Sequence, residues 1–134
     1  ELAFGDWTQQ GLPFYTGNLT YHCTVRGDGE PIGIEVPFFK NPVLRAAVDG
    51  QDLGPIAFDP FRVSLGALSK GEHRFDLTAY GHRFNSFGCM HLGGPHLRWF
   101  GPPSWRSRDN HWAYEYNTYP MGLLVAPIVR RVVE

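Results

Sequence analysis

Charge of one sign is the first thing this sequence lacks. Twelve Lys and Arg stand against thirteen Asp and Glu, for a net charge of -1. A nucleic-acid partner normally demands a basic face, so that class of function is excluded. No apolar run approaches the ~20 residues of a membrane-spanning helix. Cysteine is scarce: only Cys23 and Cys89 occur, in neither a C-x-x-C pair nor a metal-ligand spacing. Helical periodicity is nearly absent too, which argues against a bundle. No signal peptide opens the chain. It starts at Glu1 without Met, as an excised piece of a longer protein would, and cytoplasmic, periplasmic and secreted locations all stay open.

What is present is glycine (16), proline (11), phenylalanine (10), tyrosine (6) and tryptophan (4). That mixture suits short strands joined by tight turns and suits helices badly. At 134 residues the chain is expected to be one domain, spanning 1–134, large enough to fold without a metal or disulfide.

The dominant period is two. Leu19, Tyr21, Cys23 and Val25 alternate with polar residues, then Arg26-Gly27-Asp28-Gly29 turns the chain, and Ile32, Ile34, Val36 and Phe38 alternate again. The pair reads as a hairpin. The Arg-Gly-Asp tripeptide in it reads as a glycine-rich turn rather than an adhesion motif. Leu44, Ala46 and Val48 lead to Asp49-Gly50, a pair suited to a turn with positive φ. Pro55 and Pro60 limit Ile56 to Phe61 to a short or edge strand. Val63 to Leu68 fits one helical turn or a loop. After Lys70-Gly71, Phe75, Leu77 and Ala79 point one way and Arg74, Asp76, Thr78 and Tyr80 the other. Trp112, Tyr114 and Tyr116 suggest a further strand, and Leu123 to Val133 a last one broken by Pro127. Trp7 to Tyr15 packs across an edge or forms the first strand. Eight or so short strands with regular turns imply an all-β antiparallel sandwich of jelly-roll type. Cys23, in phase with the apolar set, reads as a small buried residue, and a Cys23–Cys89 bridge stays open.

Three stretches resemble the galactose-binding-like "sugar-binding" β-sandwich domains of bacterial family 2 glycoside hydrolases. Gln10-Gly11-Leu12-Pro13-Phe14-Tyr15-Thr16-Gly17, followed by the strand from Asn18, is similar to their opening. Ala47-Val48-Asp49-Gly50 with Leu53-Gly54 resembles their hairpin, with Asp in place of Asn. Gly71-Glu72-His73 into Phe75-Asp76-Leu77, then Tyr80-Gly81, Arg83, Asn85 and Phe87-Gly88, resembles a later strand and its loop, with His73 in place of Asn. The aromatic, Arg-containing segment from Trp99 to Trp112 departs from the pattern. The resemblance implies a C-terminal accessory domain of a multidomain glycosidase, partnered by a catalytic domain and, as a further partner, carbohydrate.

Tyr80 to Asp109 reads as one long irregular segment, and such a loop in a compact domain is usually functional or an interface. Sugar recognition needs a flat aromatic face and planar polar groups. His82, Arg83, Asn85, Trp99, Trp105 and Arg106 supply both kinds. The competing reading is that the tryptophans cap the sandwich and Arg83 satisfies carbonyls. His82, His91, His96 and His111 are spaced nine, five and fifteen residues apart, which fits no zinc pattern. A structural calcium would draw on Asp49, Asp52 and Asp59, which are only loosely grouped. No other cofactor is implied. Glycoside hydrolysis needs two carboxylates across a cleft. Glu115, with Asp76 or Asp109, is the best available set, against the simpler reading of solvated strand carboxylates. Asn18-Leu19-Thr20 has the form of a glycosylation sequon.

Overall fold

The computed structural model describes residues 2–93, 101–106, 108 and 112–132. Seven strands are present among them: β1 Leu19–Gly27, β2 Pro31–Glu35, β3 Leu44–Val48, β4 Gln51–Ile56, β5 Arg62–Ala67, β6 Gly71–Ala79 and β7 Ile128–Arg131. One sheet runs β1-β6-β3-β4 and the other β5-β2-β7, with antiparallel pairing throughout. This is the expected antiparallel β-sandwich. Among the described residues helix is confined to one α-turn, α1, Phe84–Phe87, and two 3-10 turns, Trp7–Gln10 and Pro102–Trp105.

The alternation of β6 explains its central place. Phe75, Leu77 and Ala79 are fully or nearly fully buried, and so are Leu44 and Ala46 on its neighbour β3. Ile32 and Ile34 of β2 close the core from the other side. Three strands cannot cover four, and non-strand residues make up part of the difference: Trp7, Met121 and Leu123 are completely buried. The Asp6 carboxylate holds them by accepting from the Thr8 amide (2.9 Å), the Thr8 hydroxyl (2.8 Å) and the Met121 amide (3.1 Å). Gly122 sits between, at φ 113, with the Gly5 carbonyl 2.7 Å from where a Cβ would be; only glycine fits.

Several expectations are corrected. β1 and β2 are not a hairpin: β1 pairs with β6, and the turn between them carries the chain to the opposite sheet. Alternation identifies a buried face but not the pairing partner. Where a helical turn or loop was expected over Val63 to Leu68, Arg62–Ala67 is strand, and it carries Leu65 into the core. Residues 57–61 form a loop beyond β4, and Trp7 to Gln10 is a 3-10 turn rather than a strand. Trp112 makes only an isolated bridge to Leu92, and Tyr114 and Tyr116 are exposed, so no strand forms there. The last strand shrinks to β7, with Leu123 bridged to Phe39. Cys23 is half-buried and Cys89 buried, and both are free thiols.

The Asp49-Gly50 turn is as expected, with φ 49 and 82. Asp49 also clasps β6: its carboxylate accepts from the Arg74 amide (2.9 Å) and meets His73 Nδ1 at 2.6 Å, while His73 Nε2 lies 2.9 Å from the Ser69 carbonyl. A carbonyl and a carboxylate both require a donor, so both ring nitrogens carry protons. The Asp49 carboxylate accordingly raises the His73 pKa above its ordinary 6.5, and His73 lowers that of Asp49 below 3.8. The raised His73 value stabilises the fold below about pH 6.5 and is lost as pH climbs through the folded pKa. The lowered Asp49 value stabilises it above about pH 4 and is lost on acidification.

Two outcomes follow. Melting temperature should plateau between about pH 4 and 6.5, and the decline above that plateau should flatten in His73→Gln; an unchanged alkaline slope in that variant would contradict the clasp. Leu77→Ala should cost about 2–5 kcal/mol in denaturant unfolding, from lost burial plus the cavity it leaves.

Candidate functional site: an aromatic shelf at the loop end

The registers place Leu19, Ala79, Leu44 and Ile56 at one end of the four-stranded sheet. The segments beyond that end are the long ones. The opposite end holds only the short turns near Asp28, Asp49 and Ser69.

The loop after β6 is fixed from within. The Asn85 side chain is completely buried; it donates to the Tyr119 carbonyl and accepts from the Tyr119 amide, both at 2.8 Å. Ser86 donates to the Phe14 carbonyl at 2.6 Å. His82 Nδ1 accepts from the Phe84 amide at 3.2 Å, and its ring lies edge-on to Phe84 and Tyr119. Burial lowers the His82 pKa, in keeping with a neutral ring whose Nδ1 accepts.

Further along, the Asn117 amide donates to the Met90 carbonyl (2.6 Å), its side chain to the Leu92 carbonyl (2.7 Å), and the Ala113 amide to the His91 carbonyl (2.7 Å). These bonds bring rings together in a row. His91 stacks on Trp112 with centroids 4.3 Å apart and planes 20° apart. It meets Tyr116 at 4.5 Å, and Tyr116 meets Phe14 edge-on at 4.9 Å. His91 Nδ1 lies 3.0 Å from the Ala113 carbonyl, so it carries the proton and fixes the ring. Beside the row, Trp105 and Arg106 close a recess with His91, Trp112 and Cys89.

That recess holds about 90 Å³. Enclosed small-molecule sites run to about 300–1,000 Å³, so this is a stacking surface, not a pocket that engulfs a ligand. Trp112 is 36% exposed, Tyr116 57% and Trp105 57%. Rings this open offer faces to a sugar or to another protein.

Of the six residues expected to bind carbohydrate, Trp105 and Arg106 fall at this shelf. Asn85 is turned into the structure and binds backbone instead. His82 packs against Phe84 and Tyr119, and Arg83 is exposed at the start of α1. Trp99 lies outside the described residues, as do His96, Asp109 and His111. His91, Tyr116 and Phe14 were not singled out for sugar contact, because they lie far apart in sequence; only the phenylalanine's place in the opening motif hinted at one of them.

The carboxylates are otherwise engaged. Asp76 pairs with Arg74 (2.9 Å) and His22 (2.7 Å) on the outer face of the sheet, and Arg74 lowers its pKa. Glu115 is exposed on a bend, not on a strand. Asp49 is bound to His73, and Asp52 forms a two-point pair with Arg45 at 2.9 and 2.6 Å. Among the described residues no group of three or more His, Cys, Asp or Glu converges as a metal site, so Asp49, Asp52 and Asp59 do not assemble one.

No protein-family model matches the sequence, and no curated protein matches it. Solved structures do share the fold. A rhamnosidase from Novosphingobium sp. PP1Y aligns with a TM-score of 0.59 at 19% identity, over 87% of this chain and 11% of its own. A GH2 β-galacturonidase from Eisenbergiella tayi, crystallised with galacturonate and with glycerol, aligns with a TM-score of 0.58 at 19% identity, over all of this chain and 20% of its own. The chain thus has the length of a small part of these enzymes, and its sandwich is a fold that larger glycosidases contain.

Asn85→Ala should cost about 1–3 kcal/mol, since it removes both hydrogen bonds between this buried side chain and the Tyr119 backbone. Arg83→Ala should change stability by no more than about 0.5 kcal/mol, as a surface substitution. Denaturant unfolding of the two variants side by side separates a structural Asn85 from a ligand-binding one.

Proposed function

We propose that this chain is a non-catalytic accessory domain of a multidomain glycosidase and docks on the catalytic domain through its loop-rich end. The observation that carries this is the distribution of exposed aromatics. Phe14, Tyr15, Phe38, Phe58, Phe87, Trp105, Trp112, Tyr114, Tyr116 and Tyr119 are all exposed, and none lies on a strand. The turns at the opposite end expose Asp28, Glu30, Gln51 and Lys70 instead. Monomeric proteins rarely leave such a patch uncovered, and aromatic enrichment marks interface cores. The likeness in fold to parts of larger glycosidases supports the choice of partner.

A second reading, an independent carbohydrate-binding module, is favoured by the stacked His91–Trp112 pair with Arg106 at its side. An aromatic face against the C–H side of a sugar ring and a guanidinium for paired hydroxyls would suffice for weak binding. The third reading, a small self-sufficient hydrolase using Glu115, has no described carboxylate partner in its favour.

Titration of the chain with mono- and oligosaccharides, followed by tryptophan fluorescence, distinguishes these. Docking predicts no saturable change. A saturable change abolished by Trp105→Ala selects the binding module. Aryl glycosides should remain intact; hydrolysis that disappears in Glu115→Gln would overturn both readings.

A further inference from the structure

Four strands bound the two sheets, and three carry a device against further pairing. β4 contains Gly54 at φ 89, Pro55, and a bulge against β3. β5 has Gly66 at φ 71 beside a bulge against β2. β7 is four residues long, follows Pro127 and ends in Arg130 and Arg131. β1 has neither a bulge nor a proline, and carries a single arginine, Arg26. It is nine residues long, and its register with β6 is unbroken from Leu19↔Ala79 to Gly27↔Gly71. It contains no proline or lysine, and its only glycine is its last residue.

A groove of about 730 Å³ runs along this strand, lined by Leu2, Phe4, Leu19, Tyr21 and Cys23 among others. Its far wall is Leu2 to Phe4, and Ala3 in that wall bonds to the Gln10 side chain through its own amide and carbonyl. Phe4 stacks on Tyr21 at 5.4 Å. Leu19, Tyr21 and Cys23 are only partly buried against the core. Among the described residues no strand pairs with the outer edge of β1, and the apolar face beside it is partly exposed.

We propose that β1 is a sheet-extension site that takes β1 of a second copy of this chain, antiparallel, joining two four-stranded sheets into one of eight. The sequence of the strand favours its own copy. The two-fold register centred on Cys23 pairs all nine residues, Leu19 with Gly27 at each end. In it Tyr21 faces Val25 of the second copy, an aromatic–β-branched pair of the favourable kind. His22 faces Thr24 and Arg26 faces Thr20, so no like charges oppose. A slip of one residue would set the apolar row against the polar one. Centring on His22 or Thr24 instead shortens the overlap. This inference uses the strand edge, not the loop end, and is independent of the function proposed above.

The register is directly testable. Opposed residues in antiparallel strands have Cα atoms about 4.5–5.5 Å apart, within the disulfide range of about 4.4–6.8 Å. Diamide, by taking two electrons and two protons from the paired thiols, should convert the full chain to a Cys23–Cys23 dimer. The product should be lost in Cys23→Ser and kept in Cys89→Ser. Under reducing conditions, sedimentation velocity should show a dimer for the unmodified chain and a monomer for Cys23→Lys, with circular dichroism confirming that each is folded. A monomer at every concentration overturns the proposal. So does a cross-link that survives Cys23→Ser.

Discussion

A three-stranded sheet covering a four-stranded one is the constraint from which most of this structure follows. The inner face of β1-β6-β3-β4 is a continuous apolar surface, and β5-β2-β7 is one strand too narrow to cover it. Exposed apolar area costs about 25 cal/mol per Å², so the shortfall recruits other residues. Trp7, Met121 and Leu123 come from opposite ends of the chain to fill it, pinned by Asp6 and by the close approach that Gly122 permits. The covering is incomplete beside β1, where Leu19, Tyr21 and Cys23 stay half open. The same mismatch thus accounts for a distant pair of chain segments in the core and for the groove along the strand edge.

The two ends of the sandwich differ in what they expose. Toward the turn end, short connections and polar contacts hold the strands in register: Asp49 with the His73 ring and the Arg74 backbone amide, and Arg45 with Asp52. Pairs of this exposed kind add modest stability, and their value is geometric. At the loop end the chain spends its polar groups on itself. Asn85, Asn117 and Ser86 satisfy backbone atoms of neighbouring loops, and the rings they position are left facing outward. Side-chain amides, Asn85 buried and Asn117 exposed, set the shelf, and exposed aromatics form its surface.

Much of this was legible in the residues. The alternation of Phe75, Leu77 and Ala79 located a central strand, and Asp49-Gly50 located the turn between β3 and β4 with the correct sign of φ. The irregular course of the chain after β6 was visible from its glycines and its lack of alternation. Its individual residues were less so. Asn85 and Trp105 carry equal promise in a sequence, yet one is completely buried and the other 57% exposed. The difference arises from Tyr119, thirty-four residues away from Asn85, whose backbone groups needed partners. The Trp112–Tyr116 alternation misled because it lacks a core to face.

By itself the sequence determined the all-β class, the faces of the main strands and the site of the tight turn, because period-two burial and φ preference are local properties of consecutive residues. The tertiary structure decided the rest. It sent β1 to β6 rather than β2, assembled His91, Trp112, Tyr116 and Phe14 into a row, and put β1 at the edge of the four-stranded sheet. Those outcomes depend on which apolar faces find each other across the core and how far one sheet can cover the other, and that competition involves the whole chain at once.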